Sequence, residues 1–246
     1  MEIPMFNSQP PANELNANRT DMLIALSKGT LNSIPYIGGL VAEVIGTIIP
    51  NQRIDRIAGM LQALEQKVTE LDKTLVSKRF TDPGFVDLFE ESMYQAARSI
   101  SRDRLEHIAA LIKNGLAESD EKAIQYKKLI SLLSALNDTE IIILRSHAKH
   151  PKRDAEFWDR HKKVLEPRLA THGSPQEVLD EVAIYESYTQ HLVGLGLLCN
   201  SFELFRQGEI PEFDKRTGMP KASGQDITNL GRLLLRSIDL IKQDDY

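Results

Sequence analysis

Apolar residues recur at helical spacing along most of the chain, and one segment departs from that pattern by being apolar almost throughout. The departure is Thr30–Pro50, TLNSIPYIGGLVAEVIGTIIP, where the part after Gly39 predicts a helix that is apolar on nearly every face. Such a helix is buried in a bundle or faces lipid. A helix that spans the membrane permanently needs ~20 residues, so here it would have to include Pro35 and Glu43. The charge of Glu43 at the middle of the bilayer would cost roughly 2.5–3.5 kcal/mol. The pattern therefore favours a central bundle helix, or a helix stored in a soluble fold and inserted later.

The apolar side chains and glycines of this segment are the candidates for contact with lipid or with a partner helix. Gly38-Gly39 and Pro35 suit close packing of helices. In a bundle core, the carboxylate of Glu43 needs a buried partner, for which Arg53 and Arg56 are the candidates. The candidate contact residues are Ile34, Tyr36, Ile37, Gly38, Gly39, Leu40, Val41, Val44, Ile45, Ile48 and Ile49.

The charged region that follows predicts a long amphipathic helix from Gln52 to about Lys78. Its apolar positions alternate in steps of three and four, the heptad spacing of a helix that lays one seam against a neighbour. These positions are Ile54, Ile57, Leu61, Leu64, Val68, Leu71 and Leu75. The seam fits a bundle, and it also raises the alternative of a structural oligomer.

Capping patterns divide the rest of the N-terminal half into further helices. Asp82-Pro83 predicts the N-cap and first position of a helix, Ser101 the cap of the next, and Asn114-Gly115 the end of that one. A further helix is expected over residues 118–136. Together these patterns predict a flexible tail at 1–19 and a helical bundle over 20–136, built around the apolar helix.

The C-terminal half begins with a short helix capped at Asn137 and continues into a basic stretch. Between Leu144 and Lys163 there are seven Lys or Arg against three Asp or Glu. A helix follows Pro175, and short extended segments are expected at SFELF and EIPEF before a last strand and helix. The candidates for contact with nucleic acid or an anionic surface are Arg145, Lys149, Lys152, Arg153, Trp158, Arg160, Lys162 and Lys163, with Lys215, Arg216 and Lys221 in the later loop.

This C-terminal half resembles a winged helix, in which a "LxxLGLL" phrase precedes a wing and a "hTxLGxxLLxxI" phrase closes the domain. The two phrases here are Leu192–Leu198 and Ile227–Ile238. The resemblance implies a mainly α protein whose residues 137–246 form a winged-helix-like α+β module with a two- or three-stranded wing and a basic insertion at 148–173. The expected recognition helix carries Glu181 and Glu186 but no Lys or Arg, which favours protein contacts over a DNA groove.

The whole chain is similar to a loosely defined group of uncharacterised bacterial proteins that join an apolar "P-x-x-G-x-x-x-A-E" helix, a charged helix and a winged-helix-like module. The first motif is Pro35, Gly38, Ala42 and Glu43. An apolar helix shielded by amphipathic ones also resembles the membrane-disrupting bundles of bacterial and fungal cell-death proteins. These resemblances imply an effector in a defence or cell-death setting.

Composition excludes several kinds of chemistry. The net charge of −5 gives no global basic field, and the single Cys199 permits neither an intramolecular disulfide nor a cysteine zinc site. Phosphate-loop, dinucleotide and nucleophile-elbow motifs are missing, so we expect a non-enzymatic cytoplasmic protein without cofactor or small-molecule substrate. The leading hypothesis is an interaction or effector protein with a protein partner or self-association, able to associate with the inner membrane. The alternatives are a winged-helix DNA-binding regulator and a structural oligomer.

Overall fold

The computed structural model describes residues 37–48, 53–117, 123–148, 154–171, 173–202, 212–213, 218 and 220–242. In these residues the chain is mainly helical, with one two-stranded antiparallel sheet near the C-terminus. It divides into two compact units, Met1–Ile130 and Ser131–Tyr246. The elements are α1 (Ile37–Ile48), α2 (Ile54–Val68), α3 (Lys73–Arg79), α4 (Pro83–Arg98), α5 (Arg102–Ala117), α6 (Ala123–Ala135), α7 (Asp138–Ser146), α8 (Ala155–Arg160), α9 (Lys162–Leu165), α10 (Gln176–Gly194), β1 (Leu198–Ser201), β2 (Gly224–Ile227) and α11 (Asn229–Ser237).

The core of the first unit is built by α2, α4 and α5, which pack on one another in pairs. Helix α2 buries its apolar seam in this core, so α2 and not the apolar helix α1 lies at its centre. The seam residues are Ile54, Ile57, Leu61, Leu64 and Val68, none of them more than 2% exposed. Because this chain already covers these five positions, they do not offer the open seam that the oligomer alternative requires.

The prediction of a single helix over residues 52–78 is wrong, because a turn at residues 69–72 separates α2 from α3. The Asp72 carboxylate accepts the Thr74 backbone N–H at 2.8 Å and caps α3. Leu75 continues the apolar spacing but is 41% exposed. A polar cap therefore restarts the helix and takes its last apolar position out of the core.

Two of the predicted helix starts are confirmed by their caps. Asp82 Oδ1 accepts the Gly84 N–H at 3.1 Å, and Pro83 is the first residue of α4. Ser101 Oγ accepts the Arg104 N–H at 3.2 Å at the start of α5. Each start depends on a side chain within three residues of it, which is why the local sequence was sufficient to find it.

Gly115 does not end α5, which continues to Ala117, so the predicted C-cap is wrong. The residue is buried, and a Cβ there would lie 3.2 Å from Leu88 Cδ2 and 3.4 Å from the Tyr126 ring. Its carbonyl accepts a hydrogen bond from Arg79, which is only 4% exposed. The glycine is therefore a packing residue at the point where a buried arginine joins α3 to α5.

The cap predicted at Asn137 in the second unit is confirmed, and it forms part of a capping box at the start of α7. Asn137 Oδ1 accepts the Glu140 N–H at 2.9 Å, and Glu140 Oε2 accepts the Asn137 N–H at 2.7 Å. Helix α7 packs against α9 and α10, and α10 leads into β1. Within the predicted insertion at 148–173, α8 and α9 form two short helices.

The sheet of the second unit pairs β1 with β2 in antiparallel register from Leu198 opposite Ile227 to Ser201 opposite Gly224. The first strand lies earlier than the predicted SFELF segment, of which 203–205 fall outside the described residues. From the EIPEF segment, Phe213 forms an isolated bridge with Pro220. The final strand followed by a helix is confirmed, and the winged-helix assignment stays a prediction.

Close backbone contact between β1, β2 and α11 depends on Thr228 and Gly231. The Thr228 hydroxyl donates to the Gly196 carbonyl at 2.7 Å and accepts the Gly231 N–H at 3.0 Å, which caps α11. A Cβ at Gly231 would lie 2.9 Å from Ile227 Cγ1 and closer still to the Leu197 carbonyl oxygen. Only glycine fits there without displacing the backbone of the sheet.

Candidate interaction surfaces

Helix α1 is attached to the first unit through one face. Ile37, Val41 and Val44 are buried at 3%, 0% and 3% exposure, at the i, i+4, i+7 spacing of a single helical stripe. The helix packs on α4. Leu40, beside that stripe, is half-buried. The expectation of a helix enclosed on all sides is therefore wrong.

The opposite face of α1 is open to solvent. Gly39, Ala42 and Glu43 are exposed and Gly38 is half-buried, so the Glu43 carboxylate does not lie in a buried core. A Cβ at either glycine would meet nothing within 4 Å, which corrects the prediction that they allow close helix packing. The side chains of Ile45 and Ile48, and all of Ile34, Tyr36 and Ile49, lie outside the described residues.

The length of α1 limits what it can do in a bilayer. Its twelve residues extend for about 18 Å, against a hydrocarbon thickness of about 30 Å. Across the part of the chain that the structure describes, no helix combines the length and apolar character that a membrane crossing requires.

Arg145, the first cation of the basic stretch, is held by an ion pair and by a contact with an aromatic ring. Arg145 Nη2 donates to Asp154 Oδ2 at 2.9 Å, and its guanidinium lies 4.1 Å from the centre of the Phe157 ring. The neighbouring Trp158 is half-buried and its indole nitrogen is shielded from solvent. Arg145 thus helps to anchor α8 to α7, and neither Arg145 nor Trp158 presents its polar group outward.

The remaining described cations of this stretch are exposed, and most carry a carboxylate partner. Arg160 pairs with Glu156 and Lys162 with Glu166, both at i, i+4 spacing. Lys163 is exposed and makes no ion pair within the described residues. In the later loop Lys221 pairs with Glu212 at 3.3 Å. Lys149, Lys152, Arg153, Lys215 and Arg216 lie outside the described residues.

A second arginine, missed by the sequence interpretation, connects the loop after α9 to α10. Arg168 donates from two nitrogens to the carboxylate of Glu181 and lies 3.6 Å from Glu177 Oε1. Hydrogen bonding to Arg168 lowers the pKa of Glu181 from its ordinary value, and the same bond raises the pKa of Arg168. The two partners are thirteen positions apart in sequence, which explains why no local pattern revealed the pair.

Two histidines of the second unit have structural partners. His191 Nδ1 lies 2.7 Å from Oε1 of the buried Glu140. His147 Nδ1 lies 3.0 Å from the Gln225 carbonyl oxygen, and burial lowers the pKa of His147. His150 is outside the described residues. No group of three metal-ligating side chains occurs among the described residues.

Comparison with protein-family models, curated proteins and solved structures found no match to this chain. The described residues present two candidate interaction surfaces. The first is the singly attached apolar helix α1, and the second is the largely neutralised basic stretch.

Proposed function

We propose that this chain is a non-enzymatic interaction or effector protein that acts when α1 leaves the first unit and binds a lipid surface. The observation that carries the proposal is that α1 is almost entirely apolar, while over residues 37–44 it buries one stripe and leaves Gly39, Ala42 and Glu43 exposed. The setting that the sequence resemblances imply is bacterial defence or cell death, with the winged-helix-like second unit as the regulatory module.

The rest of the first unit does not depend on α1 for its centre. The packed pairs among α2, α4 and α5 enclose Ile57, Leu64 and Phe89 at no more than 1% exposure. Displacing α1 uncovers its three buried side chains and the strip of α4 beneath them. Unit 1 therefore has a core that can persist while α1 moves.

Lipid offsets most of the cost of that displacement. Exposing three aliphatic side chains to water costs roughly 5–9 kcal/mol, at about 1.5–3 kcal/mol each. The same side chains recover this free energy in the acyl boundary of a bilayer, because apolar transfer is not directional. Excess lipid then shifts the population of free α1 by mass action, without a further ligand.

The polar face of α1 suits an interfacial orientation. Glu43 lies on the side opposite Ile37, Val41 and Val44, so its carboxylate stays in water when the apolar face enters the bilayer. In this orientation the Glu43 charge does not lie at the bilayer centre, so the free-energy penalty that argued against a membrane-spanning helix does not apply. The short length and the single acid of α1 therefore fit a helix that lies on a membrane.

Adjacent positions on α1 provide a matched pair of variants for a test. Val41→Asp places a charge on the buried face, whereas Ala42→Asp places the same charge on the exposed face. In co-sedimentation and dye-leakage assays with phosphatidylcholine–phosphatidylglycerol vesicles, we expect the wild type and Ala42→Asp to bind alike. Val41→Asp is expected to lose at least about tenfold in affinity, since a buried charge costs several kcal/mol.

Circular dichroism of each variant verifies that helix content is kept. Leu40→Asn, at a half-buried position beside the same stripe, is the milder second variant and should weaken vesicle binding in the same direction. If wild-type protein neither sediments with vesicles in lipid excess nor releases their contents, the proposal fails. Equal loss in Val41→Asp and Ala42→Asp would also contradict it.

A further inference from the structure

A groove of about 540 Å³ opens in the second unit between the α9 region and α10. One wall is formed by Val164 and Pro167, the other by Ile184, Tyr185 and Tyr188 of α10. The volume lies in the range of about 300–1,000 Å³ that small-molecule pockets occupy. The groove is thus large enough for a small organic ligand, and its walls are mainly apolar and aromatic.

The aromatic wall results from the arrangement of two stripes on α10. Tyr185 continues the stripe that Val178, Thr189 and Leu192 bury against the unit. Ile184 and Tyr188 lie on the adjacent stripe with Glu181 and face the α9 region across the groove. Ile184 remains 53% exposed, which is a large apolar side chain left open at the rim.

The tyrosine hydroxyls are available as hydrogen-bond donors. Burial raises the pKa of Tyr185, so its hydroxyl keeps its proton at neutral pH. Among the described residues, neither Tyr185 nor Tyr188 forms a side-chain hydrogen bond. A ligand that accepts hydrogen bonds at this wall would therefore displace only water.

The charges around the groove leave one cation without a partner. Arg168 is held by Glu181, and Glu166 lies 3.8 Å from the ammonium of Lys162, which is not part of the lining. Lys163 lines the groove, is exposed, and has no carboxylate partner in the described part of the chain. Lys163 is therefore the lining cation with which a ligand of single negative charge can pair.

We propose that this groove binds a small aromatic carboxylate, with the ring between Ile184, Pro167 and the tyrosines and the carboxylate on Lys163 and a tyrosine hydroxyl. The flat apolar body matches the walls, and the anionic group matches the only unpaired charge that the described lining offers. This site is independent of α1 and of the proposed lipid binding. It gives the second unit a ligand to sense.

The test is isothermal titration calorimetry of the full chain with 1-naphthylacetate and with its neutral amide, 1-naphthylacetamide. The carboxylate should bind more tightly than the amide. Lys163→Met should weaken carboxylate binding roughly three- to tenfold and leave amide binding unchanged, as expected for one partly solvated charge contact. Lys162→Met, which removes the paired lysine outside the groove and leaves Glu166 of the lining without its partner, should weaken carboxylate binding less than Lys163→Met does and leave amide binding unchanged.

Tyr188→Ala separates the apolar contribution from the charge, because removing the ring should weaken the carboxylate and the amide alike. Three outcomes overturn the proposal. They are the absence of saturable binding at millimolar probe, equal affinity for carboxylate and amide, and equal effects of Lys162→Met and Lys163→Met.

Discussion

Replacing Gly231 by alanine tests the packing that fixes the sheet to α11. The new Cβ would lie 2.9 Å from Ile227 Cγ1 and closer to the Leu197 carbonyl oxygen, which as a backbone atom cannot rotate away. Overpacking of this kind costs about 3 kcal/mol at the upper end of its usual range, and the helix propensity of alanine returns about 1 kcal/mol. The expected net loss is about 2 kcal/mol in the free energy of unfolding of the second unit.

The only tryptophan, Trp158, lies in the second unit and reports its unfolding by fluorescence. With a urea dependence of about 2 kcal/mol per molar, the midpoint of Gly231→Ala should fall by about 1 M. Gly194→Ala is the control, because a Cβ at that helical position meets nothing within 4 Å. Its midpoint should stay or rise slightly. Equal midpoints for the two variants would refute the close approach at Gly231.

Two further predictions concern the partners of buried polar groups in the second unit. Burial lowers the pKa of His147 below its ordinary 6.5, so the unfolded chain binds more protons than the folded chain, and the stability of the second unit falls as the pH decreases below about 6.5. His147→Gln should therefore reduce the change in the urea midpoint, followed by Trp158 fluorescence, between pH 7.5 and 5.5. An unchanged pH dependence of the midpoint would contradict this. Glu140→Ala leaves the Asn137 N–H and His191 without their acceptor and should cost about 1–3 kcal/mol in the same assay, whereas Glu186→Ala, on an exposed side chain, should change stability by less than about 0.5 kcal/mol.

The sequence predicted correctly those helix starts that are set by a capping side chain close by in the sequence. The caps at Asp82 and Asn137 were found because each satisfies backbone N–H groups within three residues. The same kind of chemistry was overlooked at Asp72, where even apolar spacing suggested an unbroken helix. Spacing shows which face a helix buries, but it does not show where a polar side chain ends the helix.

Glycine had two different roles that sequence could not separate. Gly115 looks like a helix end because of Asn114 before it, yet it is buried against Leu88 and Tyr126 from other helices. The reason for a glycine there is a tertiary contact, which the neighbouring residues do not encode. Gly38 and Gly39 show the reverse, since close packing was expected and no atom is near.

The candidate surfaces were predicted by composition and corrected by geometry. The basic stretch was identified from its cations, but the carboxylates that neutralise Arg145 and Arg160 are only evident once the helices α8 and α9 are formed. The groove on α10 was missed, although Ile184 and Tyr188 at i, i+4 form a second apolar stripe beside the buried one. A helix with two such stripes is a sign of a second contact surface.

The central claim, that α1 enters lipid, is tested most directly by quenching with brominated lipid. Trp158→Phe combined with Leu40→Trp moves the only indole of the chain to the half-buried edge of the α1 stripe. Addition of vesicles that contain brominated lipid should quench this indole strongly, while Trp158 of the wild-type chain under the same conditions should keep its fluorescence. An indole at position 40 that is quenched no more than Trp158 would contradict the account.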